Sequence, residues 1–419
     1  MKNKQINGLM ILSSLLLVGC GNTNETNSIS SENNNIISSS SSQVELCSSS
    51  NTSSIISIEL EEFGRYEYFP LSDGTLAIGV GQNKYLEKLT IPQMHNGKII
   101  TKIAENGFSE CTFLKEIKIP DSITAIGEGA FFECKSLKEI KIPNSVTTIG
   151  RWAFFNCTKS TIIYCEAESQ PEGWDKEWNN YTIKKIIWGC IESSIYNDFT
   201  YGICINKGIK YVVITGYNGF EIEIEIPSLI NRISVTTIGN WAFSECTSLK
   251  EIKIPNSVTT IGEWAFFECT SLTNVIIPNT VTAIKNHVFD NCTSLASITI
   301  PDSVTTIGRC TFSNCTSLTC ITIPDSVTTI EDSAFSSCTS LASIIIPDSV
   351  TTIGRYTFSS CTSLTCITIP DSVTTIEGSA FYNCTKLTII YCEAESQPEG
   401  WNPNWLSCNA KVEWGKKNE

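Results

Sequence analysis

The chain has 419 residues, a formal net charge of −14 and 41% apolar residues. This apolar content suits a folded chain and excludes disorder throughout, whereas the length exceeds one ordinary core unless repeats extend it. The excess of acidic residues repels phosphate backbones and anionic lipid, which argues against nucleic-acid binding.

Residues 1–19 have a basic start and an apolar stretch that is too short to span a membrane comfortably, and they end in Leu17-Val18-Gly19 before Cys20. This segment resembles a bacterial lipoprotein signal peptide. The resemblance implies cleavage before Cys20 and acylation of its thiol, which would anchor the chain at the bacterial cell surface, in the outer membrane if the cell is Gram-negative. An ordinary secretory leader with an incidental cysteine is the alternative.

Residues 20–57 begin with the predicted lipidated cysteine and continue as a segment rich in serine and asparagine. Such a composition buries too little apolar area to offset the entropy lost on ordering, so we expect a disordered tether. A flexible chain of this length spans roughly 30 to 35 Å. The lipid anchor is therefore the only expected contact with the membrane, and the folded part is displayed clear of it.

The rest of the chain is built from 23-residue repeats, the clearest of which is the stretch CTSLTCITIPDSVTTIE, found identically at 315–331 and 361–377. Phenylalanine stands three residues before an index cysteine in all ten copies, and isoleucine stands eight before it. Because the same residue stands there in every copy, these positions are predicted to form the core. The duplication itself favours a scaffold over a single active site. The index cysteines form two arrays, Cys111, Cys134 and Cys157, then Cys246, Cys269, Cys292, Cys315, Cys338, Cys361 and Cys384.

Each repeat alternates apolar and mixed residues after its cysteine, which predicts a short strand, and a proline then ends the strand in most copies. The stretch SVTTIG predicts a second extended segment that leads into a compact helical turn at the residues AF. One copy cannot bury its own apolar face, so the copies are expected to stack with parallel strands in register about 4.8 Å apart. The predicted fold is a repeat solenoid of short parallel β-strands with turns and short helical turns.

The pattern CTSLTSITIPxSVTTIGxxAF, which covers most of residues 63–416, resembles the BspA-like leucine-rich-repeat family of bacterial surface proteins. The resemblance implies a curved solenoid that carries the LxxIxI strand on its concave side. It also implies adhesion to host or neighbouring-cell proteins, with no catalytic residues and no cofactor.

Two duplicated segments define the ends of the arrays. The sequence YCEAESQPEGW occurs at 164–174 and again at 391–401, and we interpret both copies as C-terminal caps. A carbohydrate-binding aromatic platform is the alternative role for their indoles. Matching N-terminal segments place the first solenoid at 58–190 and the second at 191–416, with little linker between them. The tryptophans expected to cover the open ends are Trp174, Trp178, Trp401 and Trp405.

Catalytic chemistry finds little support in the sequence. The only histidines are His95 and His287, which give no basis for a triad or a zinc set, so we predict that the chain is not an enzyme and holds no metal. We interpret His287 as a surface substitution. A column of turn aspartates is a candidate for calcium binding, but asparagine fills the same position in other copies, which favours a turn role. The column comprises Asp302, Asp325, Asp348 and Asp371.

The outward residues of the predicted strands are the candidate binding face. Their character changes from charged in the early copies to hydroxyl, thiol and methyl groups in the later ones, and we expect an extracellular or cell-surface protein to bind along the second solenoid. A merely solvated face, ice binding by the threonine rows, a structural role in the cell envelope and, more distantly, a hydrolase or glycan-binding protein are the alternatives. The face comprises Glu116, Lys118, Glu139, Lys141, Glu251, Lys253, Ser297, Thr299, Cys320, Thr322, Ser343, Ile345, Cys366 and Thr368.

Cysteine usage gives a further expectation. Of the 20 cysteines, lipidation of Cys20 leaves an odd number, so at least one thiol is unpaired, and the ten index cysteines are expected to form a buried, inert row. Abundant thiols on an exported protein point to an anaerobic habitat. Cys320 and Cys366 lie two coils apart, with Cα atoms near 10 Å, whereas a disulfide requires about 4.4 to 6.8 Å.

Replacement of Cys20 by serine should abolish lipid attachment, because acyl transfer requires the thiol and the tether has no apolar surface to hold a membrane. Partitioning between detergent and aqueous phases measures this directly. A Cys20→Ser variant that still enters the detergent phase would mean that another feature anchors the chain.

Overall fold

The computed structural model describes residues 66–158, 161–179, 183 and 185–416. The predicted signal peptide, the lipidation site at Cys20 and the tether lie outside these residues, as does the predicted start of the first solenoid at residue 58. One 3-10 helix, at Gly81–Tyr85, is the only helix in the described part of the chain. None of the described helices is long and apolar enough to cross a membrane.

Eleven short strands form the first array, and residues 23 apart pair in parallel register along it, as in Ile117 with Ile140. The strands are β1 (Glu67–Pro70), β2 (Leu76–Gly79), β3 (Lys88–Thr90), β4 (Met94–His95), β5 (Lys98–Ile103), β6 (Glu116–Lys118), β7 (Ala125–Ile126), β8 (Glu139–Ile142), β9 (Thr148–Ile149), β10 (Ile162–Cys165) and β11 (Lys185–Ile187). They form two separate columns, β1-β2-β5-β7-β9, in which β4 also pairs with β5, and β3-β6-β8-β10-β11.

Sixteen further strands belong to the second array, which opens with a β-meander before the repeats begin. The strands are β12 (Cys190–Tyr196), β13 (Phe199–Asn206), β14 (Ile209–Tyr217), β15 (Glu223–Glu225), β16 (Leu229–Ile230), β17 (Ile233–Ile238), β18 (Glu251–Lys253), β19 (Thr260–Ile261), β20 (Asn274–Ile276), β21 (Thr306–Ile307), β22 (Thr329–Ile330), β23 (Thr352–Ile353), β24 (Cys366–Ile369), β25 (Thr375–Ile376), β26 (Ile389–Cys392) and β27 (Lys411–Trp414). Ile330 pairs in parallel with Ile353, so the predicted solenoid of stacked 23-residue coils is confirmed.

The third side of each coil is a column of turns, and the prediction of helical turns at AF is wrong. Two residues per repeat, such as Ser333 and Ser337, have positive φ angles of 57° and 60°. These left-handed residues interrupt any helix and turn alternate amides toward the next coil. The Phe335 amide, for example, donates to the Thr357 carbonyl at 2.9 Å. Coil-to-coil hydrogen bonds therefore hold this side together as they hold the strands.

Ten stacked phenylalanines run through the centre of the two arrays. Neighbouring rings within an array lie 5.1 to 5.7 Å apart and nearly parallel. Offset stacking at such distances is favourable, and each ring also fills the space that its neighbours leave. All ten have no exposed surface, which confirms the predicted core row: Phe108, Phe131, Phe154, Phe243, Phe266, Phe289, Phe312, Phe335, Phe358 and Phe381.

The index cysteines are buried as predicted, with the exception of Cys246, which is half-buried. Its counterpart Cys111 is next to Glu110, which pairs with Lys84 of the 3-10 helix. The described residues of the second array contain no such helix.

The index thiols also donate hydrogen bonds between coils, which the sequence did not indicate. In eight coils Sγ donates to the carbonyl of the core phenylalanine one coil earlier, at 3.0 to 3.3 Å. Burial raises the pKa of Cys157 and Cys384 to about 12.

Repeated hydroxyl groups form ladders between coils. The Ser326 hydroxyl donates to the Val304 carbonyl at 2.6 Å, and Ser349 donates to Val327 at 2.7 Å. The threonines at the start of TTI behave in the same way toward the coil before them, as when Thr351 donates to the Thr328 carbonyl at 3.2 Å. The hydroxyl residues that make the copies so alike thus satisfy backbone acceptors between coils.

Both C-terminal caps close their stacks with the same pair of tryptophans. Trp178 packs edge-on against Phe154 with centroids 5.6 Å apart, and Trp405 packs in the same way against Phe381 at 5.8 Å. Trp174 and Trp401 each donate Nε1–H to a valine carbonyl of the preceding coil. All four indoles are buried, which confirms their covering role and leaves no face on them for a carbohydrate platform.

The two arrays meet directly. β11 ends at Ile187 and β12 begins at Cys190. A small core joins the last coils of the first array to the opening hairpin of the second, and the hydroxyls of Tyr164 and Thr215 hydrogen-bond across it at 3.1 Å. This junction core consists of Tyr164, Ile187, Cys190, Cys204 and Val213.

Truncation of Phe335 to alanine should lower the free energy of unfolding by about 3 to 5 kcal/mol, because two stacked neighbours cannot both fill the cavity. The side chain is fully buried in the middle of the longer array. Denaturant melts measure the loss, with Tyr382→Ala as the control, since Tyr382 is 53% exposed. A loss below about 1 kcal/mol for Phe335→Ala would contradict the stacked row.

Candidate binding face

The predicted face residues all lie on the outward side of their strand segments, which we call the strand face. Their solvent exposure is uneven. Glu116, Glu139, Glu251, Cys366 and Thr368 are half-buried, whereas the exposed members are Lys118, Lys141, Lys253, Ser297, Thr299, Cys320, Thr322, Ser343 and Ile345. The structure brings these residues into two sets, one on each array.

The first-array part of the strand face is occupied by internal contacts. Glu116 pairs with Lys88 at 2.8 Å, and Lys141 pairs with Glu166 of the first cap at 2.7 Å. The Lys141 ammonium also donates to the Ile191 carbonyl of β12 at 2.6 Å. Burial, followed by the neighbouring Glu116 charge, raises the pKa of Glu139. Glu116 and Lys141 are therefore engaged within the chain, whereas Lys118 is exposed.

The second-array part carries an uncharged strip in strict register. Ile276 bridges to Thr299, Thr299 to Thr322 and Thr322 to Ile345. The two isoleucines are strongly exposed, Ile276 at 62% and Ile345 at 81%. Two threonines therefore lie between two exposed isoleucines along one row of successive coils.

Charged residues bound this strip at both ends. Lys253 pairs in register with Ile276 at the start of the strip. At the far end Lys411 and Glu413 form an ion pair at 2.9 Å on β27. Between these ends the outward positions carry no charged side chain in the described structure. A neutral centre with a charged rim is typical of protein interfaces.

Ile389 and Tyr391 extend the strip by one coil, and sequence reasoning missed them. Cys366 pairs with Ile389, and Thr368 pairs with Tyr391, on adjacent parallel strands. Tyr391 begins the duplicated segment 391–401, which was interpreted only as a cap, and Ile389 lies just before that segment. The strand alternation runs on through this segment and was the available signal.

His287 is half-buried, and its interpretation as a surface substitution is wrong. The imidazole stacks on Trp264 with centroids 3.6 Å apart, and Trp264 stacks on Trp241 at 4.6 Å. Nδ1 donates to Asp290 at 2.9 Å. His287 thus continues the aromatic column of Trp241 and Trp264, with its flat ring stacked on the ring one coil earlier. His95 stacks on Tyr68 at 3.7 Å in the first N-terminal cap.

Metal ligation finds no site in the described part of the chain, where no group of three histidine, cysteine or acidic side chains is placed to hold an ion. The four turn aspartates proposed as a calcium column are exposed at the outer edge of their coils.

Coils of 23 residues, parallel strand columns and a buried ladder of leucine, isoleucine and phenylalanine define a leucine-rich-repeat solenoid. The model of the BspA type leucine rich repeat region matches residues 81–195, 214–339 and 282–397, which together exceed half of the chain. The chain belongs to this family.

Solved structures similar to the chain include several bacterial leucine-rich-repeat proteins. The leucine rich repeat protein of T. pallidum is 31% identical over 47% of this chain and 91% of its own, with a TM-score of 0.43. A leucine rich cell surface protein of Faecalibacterium prausnitzii is 24% identical over 78% of this chain and 93% of its own, with a TM-score of 0.31. The pneumococcal vaccine antigen PcpA is 15% identical over 83% and 91%, with a TM-score of 0.40. A search of curated proteins finds no match.

Thiol labelling should distinguish the strand face from the interior. A polar thiol reagent should modify Cys320, which is exposed, and then Cys366 and Cys310, which are half-buried, in the native protein. Cys315 and Cys338 should react only after denaturation, because burial raises the pKa of both thiols well above the usual value. Peptide mapping locates the label. Native modification of Cys338 or a Cys320–Cys366 link within one chain would contradict the stacking.

Proposed function

We propose that the chain is a non-catalytic, lipid-anchored protein of the bacterial cell surface that binds host or neighbouring-cell proteins through the second-array strand face. The observation that carries this proposal is the uncharged strip from Ile276 to Tyr391, with its two exposed isoleucines. A hydrophobic side chain on a flat strand surface gains little in isolation but contributes binding free energy when a partner covers it.

The contrast between this strip and the rest of the chain strengthens the proposal. The chain has a net charge of −14, and its first array places lysine and glutamate at the equivalent outward positions. Loss of charge over successive coils is therefore a local feature of the second array. Interface centres are depleted of charged groups because those groups are costly to desolvate.

The spacing of the strip suits a protein partner with an extended contact. Ile276 and Ile345 are three coils apart, which at about 4.8 Å per coil separates these two apolar anchors by roughly 14 Å. The hydroxyls of Thr299 and Thr322 lie between them and can donate or accept hydrogen bonds. Such a row offers two hydrophobic contacts with polar groups between them.

Cell-surface display rests on the lipoprotein-like leader and the tether, both outside the described residues, and on family membership. The similar protein of Faecalibacterium prausnitzii is described as a leucine rich cell surface protein. A non-catalytic role is supported by membership of a leucine-rich-repeat family. A structural component of the cell envelope remains the second candidate function.

Replacement of Ile345 by glutamate should reduce binding of the soluble repeat region to immobilised extracellular-matrix proteins or to whole cells at least tenfold, because a buried unpaired carboxylate costs well over 1.4 kcal/mol. Tyr382→Glu is the matched control, since it also replaces an exposed apolar side chain by a charge but lies off the strip.

Binding that survives Ile345→Glu and is lost in Tyr382→Glu would place the site on another side of the coils. Absence of binding by the parent protein to every matrix protein and cell type would favour the envelope role.

A further inference from the structure

Two cysteines face each other in the junction core between the arrays. Cys190 begins β12, and Cys204 lies opposite it on the antiparallel strand β13. Both side chains have no exposed surface. Neither residue belongs to the index row of the repeats, and neither has a counterpart at the same place in the first N-terminal cap.

The backbone pairing brings these two cysteines as close as neighbouring strands allow. The Ile205 amide donates to the Gly189 carbonyl at 2.9 Å, so the hydrogen bond flanks the Cys190–Cys204 pair instead of joining it. In an antiparallel sheet such a non-hydrogen-bonded pair has Cα atoms about 4.5 Å apart, with the side chains on the same side. The register of β12 against β13 then shifts between Cys190 and Glu192, on the other side of this pair from the Gly189 hydrogen bond. A disulfide spans Cα separations of about 4.4 to 6.8 Å.

The sulfur atoms are packed against each other and against the first array. A Cβ atom added at Gly202 would meet the Cys190 sulfur at 2.6 Å and the Tyr164 ring at 3.3 Å, so glycine leaves the space that the thiol occupies. A hydrogen bond between the two thiols lowers the pKa of Cys190 and raises that of Cys204. Cys190 Sγ also donates to the Glu192 carbonyl at 3.2 Å.

We propose that Cys190 and Cys204 are a disulfide-forming pair that covalently fastens the opening hairpin of the second array at the junction. The oxidant is a small-molecule or protein disulfide. The thiolate of one cysteine attacks one sulfur of that disulfide and releases a thiol, and the thiolate of the other cysteine then displaces the second thiol from the mixed disulfide. Two protein thiols are oxidised, one external disulfide is reduced to two thiols, and the two protons pass to the released thiols.

The junction is the place where such a link has the greatest structural effect. The core that joins the arrays contains five buried residues, whereas each array buries a far longer column. β12 is an edge strand that pairs only with β13, and its Ile191 carbonyl receives the Lys141 ammonium of the first array. A link from Cys190 to Cys204 holds this edge strand, and with it the acceptor for Lys141, in place.

Neighbouring index cysteines are the competing pairs. Cys111 and Cys134 also share a thiol hydrogen bond, but they lie in successive parallel coils. Coil spacing separates their Cβ atoms by about 4.8 Å, beyond the roughly 3.5 to 4.5 Å of a disulfide. The Cys134 thiol is also engaged with the Phe108 carbonyl at 3.2 Å. This pair therefore serves as the matched control.

The test is refolding of the full chain, reduced and unfolded, in a buffer of reduced and oxidised glutathione, because the folded junction shields both thiols. After an acid quench, alkylation and digestion, mass spectrometry should find the Cys190 and Cys204 peptides joined. Hydrogen exchange at the β12 amides should slow on the order of 100-fold on oxidation, since the link closes a 15-residue loop in the unfolded hairpin.

The slowing should disappear in Cys190→Ser/Cys204→Ser and persist in Cys111→Ser/Cys134→Ser. Recovery of Cys190 and Cys204 as alkylated thiols at every glutathione ratio would overturn the proposal, as would a link that joins either one to a different cysteine. The peptide map of the unmodified chain gives this answer even if a variant fails to fold.

Discussion

No coil of this protein can bury its own apolar face, and that constraint determines the rest of the structure. A single repeat has two short extended segments and a turn, with phenylalanine, isoleucine and cysteine on the inner side. Only another coil in the same register covers them. Register is kept by backbone hydrogen bonds on all three sides and by hydroxyl and thiol donors that reach the preceding coil, as Ser326 reaches Val304 and Cys338 reaches Phe312.

The same constraint explains what happens where stacking stops. Each array ends in two buried tryptophans, one of which packs edge-on against the last phenylalanine of the column. This end of the aromatic column is therefore covered from solvent. The strands beyond differ according to context. In the first cap Tyr164 and Ile187 are buried by the second array. In the second cap the aligned residues are Tyr391, which is half-buried, and Glu413, which pairs with Lys411. The duplicated cap thus ends both arrays. The outward residue that pairs with its tyrosine is Ile187 at the junction and Glu413 at the end of the second array.

Most of the fold follows from the sequence because the repeat supplies the same information many times. The 23-residue spacing predicts that the coils stack, the repeated phenylalanine predicts the core at Phe335, and Pro324 predicts the end of a strand. None of these predictions needs long-range information. The turn was mispredicted because the left-handed residues Ser333 and Ser337 donate their amides to carbonyls of the next coil, and local sequence does not show that contact. The environment of His287 likewise depends on Trp264 one coil earlier. Such contacts join residues about one repeat apart, and local periodicity does not describe them.

The alternation of the strands also predicted which residues point outward on the candidate face. It did not predict which of them contact other parts of the chain. Glu116 and Lys141 differ from Thr322 and Ile345 in charge, which the sequence shows, and also in their surroundings, which it does not: ion pairs and a junction in one case and exposed coil surface in the other. Under the proposed function the second array depends on register for binding as well as for stability, since any slip would break the row of Ile276, Thr299, Thr322 and Ile345.

Register is tested most directly by removing one coil. Deletion of residues 338–360 removes one 23-residue repeat and joins equivalent positions, whereas deletion of 338–361 removes one residue more and shifts everything that follows. Denaturant melts of both variants are the measurement. Stacking in 23-residue coils predicts that the first keeps a single cooperative transition close to that of the parent and that the second loses the coils after the deletion. Equal transitions for the two variants would contradict it.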